Sequence, residues 1–565
     1  MGTSGKPVLA SRWRVLRSLA DQFIELAGPA RARVKAFRDA NRSHGLLFCF
    51  LYGLPVFLEK DWPGAARALL CVVRKCFPGH FGVCVRHASL LMRNGETQAG
   101  EASYLKALEV WFRSPERVGP LRLQGFVEAI KSLRPLAEIE ASLVSVAPRT
   151  AEALHLGAEL MARFGLAQAV DTVLERNRHL LGGSRASIRV LNVRDIREDP
   201  GAQLHELFPA RPFTFREPPV FGEPDARPER TVEAPACWLG SVRDVTVMGG
   251  FTVVRGDELI VYEPAAHPRH DFVAGCWEYL TPVSGGEKQA LMWFPYEHEA
   301  RLDEGILLSG RCTTNYFHWL IEYLPKGLAI ESRADLKRVP LIVDAEMPRQ
   351  HFEALRAVMG EWPVYVHPPR TRLHVGKLWL ASTPTYHPDR FDLPYWTGSA
   401  LSEPHLEYLR QRALDGAAPG RRLPKKVYLP RRGFRGRTLR NARELENEFE
   451  RAGFALVRPE TLGFLEQVRL FHDADVIAGP GGAALSNLLF CRPGARVLAL
   501  TGERNKTYSM HANLARKAGA RFLYVAGDHL LSRASFPSEA IYAFSTFEVP
   551  LGKVKAALAE FMEAD

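Results

Sequence analysis

Three short stretches gather residue types that can do chemistry. The first is GRCTTNYFHWLIEYLPK, Gly310–Lys326. Asn315, His318 and Glu322 follow one another at spacings of 3 and 4, which puts them on one face of a helix. That face is polar in a helix otherwise made of Tyr316, Phe317, Trp319, Leu320 and Leu324. A histidine that titrates near neutrality beside a carboxylate can act as a general base. A satisfied core histidine with a surface glutamate is the plainer reading. The second stretch is KKVYLPRRGFRGRTLRN, Lys425–Asn441, in which a strand over Val427–Leu429 runs into Pro430, Arg431 and Arg432. Residues 421–440 hold nine basic side chains and no acidic one. Arginines bind phosphate through paired hydrogen bonds; a solvated basic loop is the alternative. The third is ADVIAGPGGAALSNLLF, Ala474–Phe490. An apolar strand, Val476–Ala478, meets Gly479, Pro480, Gly481 and Gly482, and a helical run, Ala483–Phe490, follows. Glycines admit a ligand close to backbone, and a helix start offers free N–H groups. No Lys-Ser/Thr follows, so this is not a P-loop, and it is not a full G-x-G-x-x-G. A tight connection with no ligand fits equally.

These stretches need elements to hold them. From Leu302 onward, apolar strands alternate with helices. Strands are expected at Gly305–Leu308, Pro340–Val343, Lys377–Ala381, Lys426–Leu429, Ala455–Val457, Val476–Ala478, Arg496–Ala499 and Phe522–Val525. Helices are expected at Tyr316–Ser332, Met347–Met359, Glu403–Leu414, Ala442–Ala452 and Phe464–Asp473. Such alternation implies an α/β fold of parallel, doubly wound sheets. The Gly-, Pro- and Arg-rich break at residues 415–426 divides it into two lobes, 183–414 and 415–565, with a cleft between them. Ligands of doubly wound sheets bind beyond the carboxyl ends of strands. Arg431, Arg432 and Gly479–Gly482 would then open on one edge. Before the lobes, Ser241–Glu263 reads as hairpins turning at Gly249-Gly250 and Arg255-Gly256. Residues 46–182 read as an all-α helical-repeat region of tetratricopeptide type, with turns near Asn94-Gly95, Arg134-Pro135 and Gly165, suited to docking a protein partner.

The chain has 565 residues, a net charge of +11 and 46% apolar residues. It is globular, and its charge suits an anionic partner. The 8 cysteines form no C-x-x-C pair, which fits a reducing cytosol. Residues 1–45 form a basic amphipathic segment that could lie on a membrane face. The apolar run 46–58 is too short to span a bilayer, and no cleavable leader is evident. Asp473-Ala474-Asp475 sits on the amino-terminal side of its strand and reads as a helix end rather than a metal site. The basic loop lacks interleaved stacking aromatics, which argues against nucleic acid.

Taken together and in this order, the three stretches resemble glycosyltransferase family 61, over roughly Ala234–Phe561. That family shows N-Y-x-H-W-L, here Asn315–Leu320; a strand ending in S/P-R-R, here Leu429–Arg432; and F-x-E-Q-V-x-L-F followed by V-I-x-G-P-H-G-A-G-L-T-N-L-L-F-x-x-P-G, here Phe464–Phe471 and Val476–Gly494. The resemblance implies a two-lobed GT-B fold and inverting transfer of a hexosyl or pentosyl group from a nucleotide-sugar donor to a glycan or glycolipid acceptor. Capsule or other cell-surface polysaccharide synthesis is the implied setting, in the cytoplasm or peripheral at the inner membrane, with no metal cofactor. On that reading His318, Glu322 and Asn315 are catalytic. Arg431, Arg432, Gly479, Gly481, Gly482, Ala483, Ser486, Asn487 and Glu503 bind the donor. The departures are Gly481-Gly482-Ala483-Ala484 in place of H-G-A-G, Ser486 in place of Thr, and Ala499 where the family often has Glu, with Glu503 nearby. A catalytically degenerate binding or scaffold protein is the alternative these departures raise.

Overall fold

The fold comes from a computed structural model, whose described residues run with gaps from 84 to 563. Residues 1–83, 114–126, 128–134, 181–186, 193–202, 262–279, 388–398, 418–422, 433–435 and 531–541, with shorter gaps, lie outside them, and so do the basic segment 1–45 and the apolar run 46–58. The chain divides into two compact units: residues 1–182 with 432–435 and 530–542, and residues 183–431 with 436–529 and 543–565.

In the first unit the described residues form helices. Ala151–Phe164 and Ala167–Arg176 make an antiparallel pair that turns at Gly165. Gly165 takes φ +79°, a conformation that costs glycine little. Ala158, Met161, Phe164, Val170 and Leu174 are buried in this unit. No helix among the described residues is long and apolar enough to cross a membrane.

The second unit holds two large sheets and a small hairpin, Arg211–Arg216 with Glu229–Ala234. In the six-stranded sheet the order is Ala455–Leu456, Lys426–Tyr428, Val476–Pro480, Arg496–Gly502, Arg521–His529, Phe547–Glu548. The first five are parallel and the last is antiparallel. Val476–Pro480 is buried along its whole length, as a strand covered on both faces must be. In the eleven-stranded sheet, Val364–His367, Leu341–Asp344, His298–Leu307 and Thr371–Ala381 form a parallel block. Here the expectation of an all-parallel lobe is corrected. Thr371–Ala381 pairs antiparallel with Cys237–Met248, and the sheet continues through Thr252–Arg255 and Glu258–Val261 in hairpin fashion. Gly249 and Gly256 turn these hairpins at φ +57° and +59°, and a short turn can only return the chain antiparallel.

Besides a core of its own, each sheet shares one with the other. One continuous cluster runs from Leu308, Trp319, Leu320 and Trp379, over Leu406 and Leu409, to Phe464, Val468, Phe490, Met510 and Leu514. The helix Glu403–Gly416 therefore packs as a wall shared by the two sheets.

Gly479 illustrates how tightly the second sheet closes. It takes φ +152°, and a Cβ there would sit 2.7 Å from the Leu429 carbonyl oxygen. Gly481 has ordinary φ, with its nearest neighbour 3.8 Å away. Gly479→Ala should destabilise the protein by at least about 2 kcal/mol, since it adds backbone strain to overpacking. Gly481→Ala should stay within about 0.5 kcal/mol. Thermal unfolding of the two variants side by side reads the difference, and equal midpoints would refute the close approach.

Candidate active site

Both sheets reverse their strand order once within the parallel block. In the eleven-stranded sheet the reversal lies between His298–Leu307 and Thr371–Ala381. In the six-stranded sheet it lies between Lys426–Tyr428 and Val476–Pro480. Loops leaving strands at such a point diverge and open a crevice. The three chemical stretches of the sequence leave these strands.

At the first reversal Leu307 leads into a loop pressed against its own helix. A Cβ on Gly310 would fall 1.9 Å from the Tyr323 ring, so only glycine fits there. Asn315 ends the loop as the helix cap: its Oδ1 accepts the Phe317 N–H at 3.0 Å. It therefore lies before the helix rather than on the expected face, and its carboxamide oxygen is already engaged. The helix is not the single run expected over Tyr316–Ser332. It is α over Tyr316–His318, widens to a π turn over Trp319–Tyr323, tightens over Leu324–Lys326 and is α again over Gly327–Glu331. Pro325 accounts for this, because it has no N–H to give to the turn below.

His318 and Glu322 lie on this helix, and both are buried. His318 Nδ1 is 2.9 Å from Glu322 Oε2. The other carboxylate oxygen accepts the backbone N–H of His387 at 2.6 Å. His387 belongs to the loop after Thr371–Ala381, and its Nδ1 lies 2.8 Å from Ser399 Oγ. The two atoms are close without the alignment of a hydrogen bond; a carboxylate so near favours a proton on Nδ1, which leaves Nε2 to take one up.

At the second reversal the arginine and glycine loops meet. A Cβ on Gly482 would lie 3.4 Å from Arg431 Nε. Arg431 Nη1 donates to the carbonyls of Gly436 and Arg437 at 2.6 and 3.0 Å. Burial, and then the positive charge of Arg437, pull its pKa down to about 9. Ala483–Phe490 is a 3-10 helix, and the N–H groups of its first turn have no partner within it. Arg432, by contrast, is exposed. Glu503 is exposed at the end of Arg496–Gly502 and pairs with Lys506, which also reaches Glu223 at 2.8 Å.

Asn487 ties the two halves of the site together. It is fully buried. Its Oδ1 accepts the Tyr316 hydroxyl at 2.8 Å, and its Nδ2 donates to Gln467 Oε1 at 3.0 Å and to the Ala484 carbonyl at 3.2 Å. Ser486 is also fully buried, and its hydroxyl has no hydrogen-bond partner among the described residues. Gly479 is required by its close packing against Leu429. His387 and His511 are residues the sequence reading did not single out. Tyr508 stands edge-on to both, at ring distances of 5.4 and 4.9 Å. His511 is held down to about 3, first by burial and then by the charges of Arg437 and His387. The two reversal points thus face each other across Tyr316–Asn487 and His387–Tyr508.

Residues 316–498 match the family model Glycosyltransferase 61. The match takes in His318, Glu322, Arg431, Arg432 and Gly479–Asn487, and stops short of Asn315 and Glu503. Over that span the chain is similar to glycosyltransferases of family 61. A search of curated proteins gives no match. Asp475 of the Asp473-Ala474-Asp475 run pairs with Arg492, on the far side of the sheet from the glycosyltransferase 61 motifs at the strand ends. A separate cavity of about 270 Å³ opens by Phe208, Arg211, Leu401, Glu403 and Lys517. It contains none of the chemical residues above, and Lys517 is drawn to Glu407 at 3.1 Å.

Two outcomes follow from this geometry. Tyr316→Phe should cost about 1–3 kcal/mol, because the buried Asn487 oxygen loses its hydroxyl donor. An unchanged unfolding midpoint would mean another donor replaces it. His351, stacked on Trp319 with its Nδ1 2.9 Å from the Thr313 carbonyl, is lowered by burial to about 4. The unfolded imidazole binds its proton below about 6.5, so stability is complete above that pH and falls toward about 4. His405 and His511, each lowered to about 3, act in the same direction. Unfolding midpoints measured from pH 7 to 5 should fall, and His351→Gln should flatten the slope.

Proposed function

We propose that this chain is an inverting glycosyltransferase that moves a sugar from a nucleotide-sugar donor to a hydroxyl of a glycan or glycolipid. The observation that carries the reading is the pair of facing reversal points. One holds a carboxylate-backed imidazole; the other holds a half-buried guanidinium lying on a glycine at the start of a helix. The family match over residues 316–498 supports the same reaction class. In this reading His318 Nε2 takes the acceptor proton as the oxygen attacks the anomeric carbon. The bond to the diphosphate breaks with its electron pair, and the new charge is met by Arg431 and the N–H groups at Ala483 and Ala484. Glu322 holds the imidazole in the tautomer that leaves Nε2 basic. Cell-surface polysaccharide synthesis on the cytosolic side, at the inner membrane face, is the proposed setting. The buried free thiols of Cys84, Cys237 and Cys491 accord with that compartment.

The test begins with a thermal-shift screen of nucleotide sugars, since a donor that binds the folded state raises the midpoint. With the donor found, His318→Ala should lose at least about a hundredfold in kcat with donor affinity nearly unchanged. Glu322→Gln should lose less. Because the leaving-group charge is met by arginine, turnover should persist in EDTA. Near-normal turnover in His318→Ala would remove the base. A wild-type protein that binds a donor and transfers it to nothing would be the degenerate binder instead.

A further inference from the structure

Arg437 is six residues beyond Arg431 and was given no role above. Its backbone is unusual: Gly436 takes φ +77° and Arg437 itself +50°, a region that L side chains rarely adopt. Two successive left-handed residues turn both carbonyls toward Arg431 Nη1, which accounts for its two short hydrogen bonds. The turn is fastened on its other side, where the Arg437 N–H donates to the Phe544 carbonyl at 2.6 Å. The guanidinium lies over the Phe544 ring with 5.3 Å between Cζ and centroid. Its Nε is buried and has no hydrogen-bond partner among the described residues.

The setting is charged in one sense. Arg437 is close enough to act on Arg431 and on His511, and both respond by favouring their neutral forms. Two guanidinium groups drawn together beside a helix start repel one another. A strained turn that holds them there is costly without something negative to separate them. An aromatic ring beneath one guanidinium is a weak counterweight that leaves the edge of the fork available.

We propose that Arg437 is a further cation that grips the bound anion, so that a diphosphate is clamped between Arg431 and Arg437 over Gly482. The proposal rests on the anion site assigned above and extends it to a residue outside the Arg-Arg pair. The backbone of Gly436 and Arg437 positions Arg431, and the Arg437 side chain contacts the ligand itself.

Arg437→Gly separates these two parts. Glycine adopts φ +50° freely, so the turn and its carbonyls persist while the guanidinium is removed. The probe is inorganic pyrophosphate, titrated calorimetrically at two salt concentrations into the full chain and its variants. Arg437→Gly should weaken binding about 10- to 100-fold with a reduced salt dependence, as the loss of one charge-assisted contact predicts. Arg437→Lys, which keeps a charge without the fork, should fall between, and it serves if the glycine variant unfolds early. Wild-type affinity in Arg437→Gly alongside weakened binding in Arg431→Ala overturns the clamp and leaves the Arg431 site standing. No pyrophosphate binding by the wild type overturns the clamp and the anion site together.

Discussion

One part-buried hydrogen bond, from the Tyr316 hydroxyl to the Asn487 carboxamide, spans the two halves of the candidate site. Tyr316 opens the helix that carries His318 and Glu322. Asn487 sits in the 3-10 helix whose first turn lies under Arg431. Because Asn487 is fully buried and its amide also holds Gln467 and the Ala484 carbonyl, the contact is fixed in direction. Around it the core is continuous from one sheet to the other. Hydrophobic burial therefore brings the halves together, and the polar strut sets their register. A crevice built in this way has a preset width, so the distance between base and anion site is a property of the fold before any ligand arrives.

Part of this was legible in the sequence. Apolar strands alternating with amphipathic helices marked the buried cores of most parallel strands but not their full lengths, since His298–Leu307 and Thr371–Ala381 begin well before the apolar runs and Val364–His367 carries no such run, and Phe464–Asp473 is a helix over the limits read from its periodicity. The i, i+4 spacing of His318 and Glu322 brings them together even though the turn between them is π rather than α. Two motifs at strand ends, Leu429–Arg431 and Gly479–Gly482, had to meet once their strands proved to be neighbours.

Other features had no local signal, or one that was passed over. Pro325 announced the break in the Tyr316–Ser332 helix and was outvoted by the apolar run around it. Asn487 looked like a ligand residue because polar groups near glycine loops often are; only tertiary structure shows its amide fully engaged. His387 is remote in sequence from Glu322, and its part is played by a backbone N–H, which no side-chain pattern reveals. The antiparallel half of the large sheet was readable as hairpins. Its union with the parallel block through Thr371–Ala381 was not, since edge pairing depends on which faces remain to be covered.

The charges of the site are arranged for the direction in which charge moves. On the proposed reaction, a proton leaves the acceptor hydroxyl for His318 while electron density flows through the anomeric carbon toward the phosphate oxygens. Positive charge thus builds on the side where Glu322 already stands, held by His318 and by the His387 N–H. Negative charge builds on the side where Arg431 stands, held by two carbonyls and crowded by Arg437. Neither group has to move or shed bulk water as the charges develop, which is the condition under which fixed dipoles and ions lower a barrier most. The same arrangement is unfavourable when the crevice is empty, because a half-buried guanidinium crowded by a second positive charge gains from any anion that enters. The fold maintains that imbalance through the left-handed turn at Gly436 and Arg437, the close approach of Gly479 to Leu429 and the absence of a side chain at Gly482. Each of these positions trades local stability for an arginine placed where a leaving group would need it.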